Sequence, residues 1–466
     1  MYRRKPKRNT TYHKRYNALT AADVQAMQYI QASFVFAFVC QRQAKTLLLA
    51  TLAMGCHRKR KGRLLFLLTL HNYVRKARLT KILLEVDFSF MTVFPDQEVP
   101  RLIPTAVNRT FDSLHEDWCY QHTRFTVDQL RRLHDLLQLP PVFNIRGGRA
   151  RCSSEEGFII TMVKLATGFC NTTLCFFFGE PCHQRIADIY RHTIALLDTK
   201  AHGILHGFDV MRQWVEHFPT FASTIERKLA EEAYGGLLFD NFRIVGFVDC
   251  KIDPTCRPGS GPAVDCQLAP RHEGHDVLQE SVYSGYAKCH GLKVLTVVFP
   301  NGLIGCLYGA VSARENDCGA LNYSGLNAEL MRLQPEVAAA RARGENLLYF
   351  SLYGDAIFPL LHCITRSHRP PIGGELNDRE EEENFVMRRI RTSVEWPYET
   401  ATNLFHVLQS KYNKHLLGHN RTPNALIGQQ LRVLFFLYNC YVCLNGSKFS
   451  RFFGVVPPTL EEYLTV

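Results

Sequence analysis

The spacing of apolar residues changes from a helical period to a strand period near residue 240. In the first half, SSEEGFIITMVKLATG (153–168) has apolar residues at helical spacing, acids in the first turn, and Ser153 or Ser154 as N-cap. Gly168 is expected to end that helix. Two more such segments follow, CNTTLCFFFGE (170–180) and PCHQRIADIYRHTIALL (181–197). The region from about 110 to 200 is therefore predicted to be helical.

The order of these predicted helices has two interpretations. A helix, a short connector, a helix, a turn and a third helix form the outline of a helix-turn-helix module that binds DNA. A plain helical bundle has the same outline. Both interpretations remain open on the pattern alone.

After residue 240 the pattern predicts an α/β layer. FRIVGFVDC (242–250) is typical of a buried strand, and residues 291–312 are typical of two strands joined by a turn at Pro300-Asn301-Gly302. Residues 326–344 predict a helix broken at Pro335, ENLLYFSLYGDAIFP (345–359) a further strand, and residues 378–412 a long helical region. This order favours an α/β fold built on a mixed sheet.

Three acids are notable for their positions in these elements. Asp249 is expected to end the first strand and Asp355 the later one, and Glu395 to lie inside a helix after Arg388 and Arg391. If the two strands are neighbours, their carboxyl ends bring the two aspartates together. The acidic run 380–383, between Asp355 and the glutamate, is predicted to be an exposed loop.

Acids in such a group could bind metal. Cleavage of a phosphodiester needs an activated water and a stabilised leaving oxygen, and a pair of Mg²⁺ or Mn²⁺ ions held by carboxylates provides both. Strand ends are also ordinary solvent-facing positions where acids occur without any function. The pattern alone leaves both interpretations open.

Composition adds a partner class. The chain has 466 residues, of which 46% are apolar and 21% charged, so most of it is expected to be globular, with two or three domains. The formal charge of +12 favours polyanionic partners such as nucleic acid.

The sixteen cysteines are scattered through apolar runs, which indicates reduced thiols inside the cell rather than a disulfide framework. Cys440 and Cys443 form a CxxC within LRVLFFLYNCYVCLNG, a predicted core helix, where packing is favoured over zinc. A looser set with irregular spacing is a weaker zinc candidate: Cys250, Cys256, Cys266, His272 and His275.

The first hundred residues are basic. Residues 1–30 are predicted to be a disordered tail, and HRKRKGR (57–63) is a second basic cluster; each could be a nuclear import signal, a phosphate contact or a solvated segment. No secretory signal is recognisable. Arg42, Gln43 and Lys45 divide the apolar stretch 29–55 into pieces too short to cross a bilayer. Residues 31–100 are therefore predicted to be helical and basic, with no membrane span.

Several motifs of the second half resemble one protein family. The segments are VGFVDC followed by CRPG, then YSGYAKCHGLKVLTVVFPNGLIGCLYGAVSARENDCGAL, LYGDAIFPL and SVEWPYETATNLF. Together they resemble the catalytic region of PIF/Harbinger-type DDE transposases. The resemblance covers about residues 240–450, and the helical region before it is similar to the segment that usually precedes this catalytic domain.

The resemblance implies an RNase H-like catalytic domain over 240–450, preceded by a helical DNA-binding region over 101–235 and followed by a tail over 451–466. Members cut transposon ends and join the freed 3′-hydroxyl to target DNA with divalent metal. Asp249, Asp355 and Glu395 match the catalytic and metal-binding acids. Asp317, in RENDCGAL, also lies at a family motif and is assigned as an auxiliary or alternative metal ligand.

Two departures from the family pattern lie beside these acids. Cys250 and Lys251 stand where the family commonly has Gly-Thr, and Pro397 follows Glu395 closely, where it would kink or start a helix. Some further positions are assigned as candidate DNA contacts: Lys251, Lys288, His290, Arg388 and Arg391.

The resulting hypothesis is a nuclear DDE-type transposase or transposase-derived endonuclease that uses Mg²⁺ or Mn²⁺ on DNA. By resemblance, it would act as a homo-oligomer, with a separate Myb-like DNA-binding partner. The alternative is a domesticated, non-catalytic DNA-binding or scaffold protein of transposon origin. Intact acids count against that alternative, and the altered residues around them count for it.

Overall fold

The structure is a computed structural model that describes residues 110–145, 150–180, 182–207, 209–232, 243–257, 278–409 and 425–465. Residues 101–466 form one compact unit. Within the described ranges, no helix is long and apolar enough to cross a bilayer. The predictions for the basic tail, for residues 31–100 and for the apolar stretch 29–55 lie outside the described residues.

The first half is mostly helical, as predicted. In chain order its elements are α1 (Glu116–Thr123), α2 (Val127–Leu137), β1 (Val142–Ile145), β2 (Ala150–Ser153), α3 (Ser154–Thr167), α4 (Asn171–Phe178), α5 (His183–Leu205) and α6 (Phe218–Glu232). Short 3₁₀ turns lie at Phe111–Ser113 and Asp209–His217. Strands β1 and β2 pair as an antiparallel hairpin that the sequence pattern did not indicate.

Helix α3 begins and ends as its sequence predicts. Ser153 is the N-cap, and its hydroxyl accepts a hydrogen bond from the backbone N–H of Glu156 at 3.1 Å. At the other end Gly168 adopts a left-handed conformation with φ 69°, which residues with a Cβ rarely adopt. The helix is buried along most of its length, so its position in the core is fixed at both ends.

The second half contains the predicted mixed sheet. Its elements are β3 (Arg243–Pro254), α7 (Leu278–Ser281), β4 (Tyr283–Ser284), β5 (Cys289–Val298), β6 (Ile304–Ser312), α8 (Asp317–Ser324), α9 (Leu326–Arg332), α10 (Pro335–Ala342), β7 (Phe350–Tyr353), β8 (Ile364–Thr365), α11 (Asp378–Arg391), α12 (Glu395–Leu404), α13 (Ala425–Asn445), α14 (Lys448–Phe453) and α15 (Leu460–Leu464). The predicted hairpin turn separates β5 from β6, and Pro335 starts α10 after the predicted break.

The sheet combines antiparallel and parallel pairs. Strand β5 lies between β3 and β6 and is antiparallel to both, while β3 and β7, and then β7 and β8, are parallel. The short β4 pairs with the beginning of β5. The two parallel strands enter the sheet after the α8–α10 helices, which is the crossover that parallel pairing requires.

Helix α13 connects the helical half to the sheet. Its buried Asn439 accepts a hydrogen bond from the N–H of Ile304 at 2.9 Å and donates one to the Ile304 carbonyl at 2.8 Å. On the helical side, Arg432 of α13 forms two hydrogen bonds, 2.7 and 2.8 Å long, with the carboxylate of Asp198 in α5. The described residues of both halves consequently share one hydrophobic core.

We predict that Arg432→Ala lowers the free energy of unfolding by about 3 kcal/mol, because the largely buried Asp198 loses its partner. The matched control is Arg191→Ala, which removes an arginine with a 2.6 Å ion pair to Asp188 on the exposed face of α5. That change should cost less than about 1 kcal/mol. Urea denaturation measures both, and equal losses would contradict the importance assigned to the α5–α13 contact.

Candidate active site

Asp249 of β3 lies next to Asp355, which closely follows the neighbouring parallel strand β7. The register of β3 and β7 pairs Phe247 with Tyr353, and each aspartate follows its strand's paired residue by two positions. The condition set by the sequence, that these two strands are neighbours, is met. The prediction that Asp249 ends its strand is wrong, because the antiparallel pairing with β5 continues as far as Pro254.

Asp249 has the most perturbed carboxyl group of the site. Its Oδ1 accepts a hydrogen bond from the N–H of Cys250 at 2.8 Å. Its pKa is raised to about 6, mainly by burial; the positive charge of Arg391 and the hydrogen bond from Cys250 lower it, and the negative charges of Asp317 and Asp355 add to the increase. This carboxyl is therefore in a position where added positive charge would be stabilising.

Asp355 is more exposed and lies in the loop after β7. Its Oδ1 accepts a hydrogen bond from the N–H of Ala356 at 2.6 Å, and its Oδ2 lies 3.3 Å from Nη2 of Arg391. Arg391 is the last residue of α11. The ion pair thus joins the end of this helix to the edge of the sheet.

Asp317 approaches the same place from α8, of which it is the first residue. Its Oδ1 accepts a hydrogen bond from Nζ of Lys293 at 2.6 Å, and Lys293, on β5, is only 5% exposed. Burial raises the pKa of the Cys250 thiol well above its usual range, and the charge of Asp317 and a hydrogen bond to it raise it further. We call Asp249, Asp317 and Asp355 the acidic cluster.

Glu395 lies at the beginning of α12. It is exposed, and it is the first residue of α12 rather than an interior helical residue, because a 3₁₀ turn at Thr392–Val394 separates α11 from α12. Pro397 falls in the first turn, where its missing N–H has no helical partner to lose. Among the described residues, no hydrogen bond or ion pair ties Glu395 to the acidic cluster.

Two side chains fasten α12 to strand β3 one turn beyond Glu395. The hydroxyl of the buried Tyr398 donates to the carbonyl oxygen of Asp249 at 3.4 Å and is hydrogen bonded to Thr296 on β5. Nζ of Lys251 donates to the Tyr398 carbonyl at 3.3 Å and to the Thr402 hydroxyl at 3.0 Å. These contacts favour an anchoring role for Lys251 over the predicted DNA contact.

The other predicted DNA contacts differ in exposure. Lys288 is exposed in the turn between β4 and β5, with φ 51°, and Arg388 is exposed on α11. His290 is partly buried beside Tyr283, with 5.1 Å between their ring centroids, and burial and the charge of Arg257 lower its pKa. Arg391 is paired with Asp355, as described above.

Two functional residues of this region were missed by the sequence interpretation. Lys293 was a recognisable signal, because it is a charged residue inside the apolar run GLKVLTVV. Tyr398 carried no such signal, since buried tyrosines are common in helices. Neither residue is one of the candidate metal ligands. Lys293 acts on the site by bonding the Asp317 carboxylate, and Tyr398 by bonding the backbone carbonyl of Asp249.

The donor set of the acidic cluster suits a hard divalent cation. Carboxylate oxygens are the ligands that Mg²⁺ prefers. A bound cation would also stabilise the ionised form of Asp249, whose pKa is raised by burial and by the charges of Asp317 and Asp355. Within the described ranges, no three His, Cys, Asp or Glu side chains are already arranged as a metal site. Cys440 is fully buried in α13, in agreement with packing, whereas Cys266, His272 and His275 lie outside the described residues.

We predict that Asp249→Asn stabilises the chain in EDTA at pH 8 by about 3 kcal/mol, because asparagine keeps the acceptor for Cys250 without a buried charge. The raised pKa stabilises the wild-type protein below the ordinary value of 3.8, and that stability is lost as pH rises through about 6. The advantage of the variant should therefore grow from pH 4 to 6 and then level off. Denaturant unfolding across this range measures it, and a pH-independent difference would contradict the assignment.

Comparison with known families supports a nuclease. Residues 264–439 match the family model described as DDE superfamily endonuclease. These residues include Asp317, Asp355 and Glu395, begin after Asp249, and make up less than half of the chain. No curated protein and no solved structure matches it. In its second half the chain is thus similar to the DDE superfamily endonucleases, which supports a transposase-like nuclease region.

Proposed function

We propose that this chain is a metal-dependent DNA endonuclease of the PIF/Harbinger type, able to cleave DNA and to join its ends. The observation that carries the proposal is the register of β3 and β7, which sets Asp249 beside Asp355 at one edge of the sheet. The match to DDE superfamily endonucleases over 264–439 supports it independently.

The sheet supports an RNase H-like domain. Such a domain has three antiparallel strands followed by two parallel ones, with the first strand central. Strands β3, β5 and β6 and then β7 and β8 have this order, and β3 lies between β5 and β7. In this arrangement the acids of the first and fourth strands meet, as Asp249 and Asp355 do.

We assign the residues of the acidic cluster different roles. Asp249 and Asp355 would hold Mg²⁺ or Mn²⁺, with Glu395 as the third acid. Asp317 is auxiliary, because the nearly buried Lys293 already satisfies its charge. When bound, a pair of such ions would ease ionisation of the attacking water and stabilise the leaving oxygen. Tyr398 and Lys251 act as positioning residues, because they fix α12, which carries Glu395.

DNA would be held outside the acidic cluster. Lys288 and Arg388 are exposed, so their charges are available to phosphates, and Tyr286 beside Lys288 is almost fully exposed, which suits contact with a base. Helices α3–α5 remain the candidate helix-turn-helix. Location in the nucleus, a Myb-like partner and a homo-oligomer belong to this proposal by resemblance alone.

The second candidate is a domesticated scaffold that binds DNA without cutting it. One observation favours it: two of the three aspartates already have a basic partner, Lys293 for Asp317 and Arg391 for Asp355. In a scaffold these pairs would be permanent. In an enzyme the pair at Asp355 must give way to a metal ion.

A nicking assay tests the enzymatic proposal. The substrate is double-stranded DNA from the regions flanking the coding sequence, with Mg²⁺ or Mn²⁺. Asp249→Ala and Glu395→Ala should each lower the cleavage rate by about 10²-fold or more, since each removes a metal ligand worth several kcal/mol. Glu399→Ala, an exposed acid one turn further along α12, is the matched control and should cut like the wild type. Unchanged cutting by Asp249→Ala would refute the assignment.

The proposed DNA contacts predict a salt effect. The double variant Lys288→Ala and Arg388→Ala should bind DNA more weakly, and the slope of log affinity against log salt should shrink by about 2, roughly one per lost phosphate contact. Lys251→Met should leave that slope unchanged, because its ammonium bonds within the protein. Fluorescence anisotropy at several salt concentrations measures both slopes. A smaller slope for Lys251→Met, together with an unchanged slope for the double variant, would contradict the assignment of Lys288 and Arg388 as the phosphate contacts.

A further inference from the structure

Arg391 is placed to neutralise two aspartates at once. Its Nη2 lies 3.3 Å from Asp355, and its positive charge also acts on Asp249. It stands at the end of α11, immediately before the 3₁₀ turn that leads to α12. Its side chain is 32% exposed, so it is neither locked in the core nor free in solvent.

The charges of the site divide into two groups. Lys293 is nearly buried and bonds both the Asp317 carboxylate and the carbonyl oxygen of Glu315, so it is fully engaged by α8 and the turn before it. Arg391 balances the charge of the remaining two acids, Asp249 and Asp355. The acidic cluster with these two basic side chains has one more carboxylate than cations.

A divalent ion and Arg391 would compete for the same oxygens. An ion on Asp249 and Asp355 would bring its charge close to the guanidinium, and two cations at a partly buried place repel strongly. The ion pair of Arg391 with Asp355 joins two partly exposed side chains at 3.3 Å, so it can be given up at modest cost.

We propose that Arg391 is a resident counter-ion that holds Asp249 and Asp355 together while no divalent cation is bound, and that it releases Asp355 when one enters. The role rests on the metal-binding part of the proposed function. It differs from the DNA contact first assigned to Arg391, and it makes the arginine a positioning residue. A counter-ion at this position would let Asp249 and Asp355 lie side by side without metal and would still allow a divalent cation to bind them.

Calorimetric titration with Mn²⁺ tests the proposal on the chelator-treated full chain. Arg391→Gln removes the competitor and should bind Mn²⁺ about tenfold more tightly than the wild type or better. Arg389→Gln makes the same charge change at an exposed position of the same helix and should stay within about twofold of the wild type. Arg391→Gln binding equal to or weaker than the wild type would overturn the proposal.

A second variant separates charge from shape. Arg391→Lys keeps the positive charge and should bind Mn²⁺ within about threefold of the wild type. If it gains as much affinity as Arg391→Gln, charge competition is not the cause and the proposal fails. Adding Asp249→Asn to Arg391→Gln should abolish the tight binding, whereas tight binding that persists lies elsewhere and contradicts the proposal.

Thermal unfolding gives a readout that does not depend on catalysis. In EDTA Arg391→Gln should melt below the wild type, because two neighbouring carboxylates lose their counter-ion, and Mn²⁺ should raise its Tm more than that of the wild type. An equal Mn²⁺ response in both proteins would overturn the counter-ion role. Mn²⁺ binding in none of the variants would instead refute the metal-binding part of the proposed function.

Discussion

Electrostatic repulsion among three carboxylates at one sheet edge is the constraint on which the candidate site depends. The parallel register of β3 and β7 sets Asp249 beside Asp355, and α8 brings Asp317 to the same place. Such a group is costly unless positive charge is supplied. The protein supplies it from two sides, with Lys293 of β5 inside the sheet and Arg391 at the end of α11. The two basic residues therefore hold α8 and α11 against the sheet as well as balancing charge.

The same edge of the sheet also determines where α12 lies. Tyr398 and Lys251 tie this helix to β3 through the backbone of Asp249 and through the Tyr398 carbonyl and Thr402 hydroxyl. The sequence resemblance led us to expect a threonine at position 251, and the bonds of Lys251 to α12 give this departure a structural role. Glu395 precedes these contacts by one turn and stays exposed. The helix is thus fixed while its first acid remains accessible, as the role proposed for Glu395 requires.

Local signals predicted much of the fold. Some features depend only on residues close together in the chain and could be predicted from the sequence. They are the caps at Ser153 and Gly168, the turn at Pro300-Asn301-Gly302 and the break at Pro335. The acidic run 380–383 was predicted both to lie in the helical region 378–412 and to be an exposed loop, and the loop prediction is wrong. The run forms the first part of α11, because Asn377 and Glu380 cap each other and acids in a first turn are stabilised by the helix dipole. The end of β3 was misplaced because pairing with β5, a partner distant in sequence, extends it past Asp249. The pairing of Lys293 with Asp317 depends on the same tertiary contacts and could not be found from spacing.

The central claim is that Asp249 in β3 and Asp355 just after β7 form a divalent-cation site. The most direct measurement is an anomalous difference map from crystals of the full chain grown with Mn²⁺. We predict a manganese peak bound by the carboxylates of Asp249 and Asp355, with Arg391 moved away from Asp355. A map in which manganese is absent from these carboxylates, with Arg391 still paired to Asp355, would contradict it.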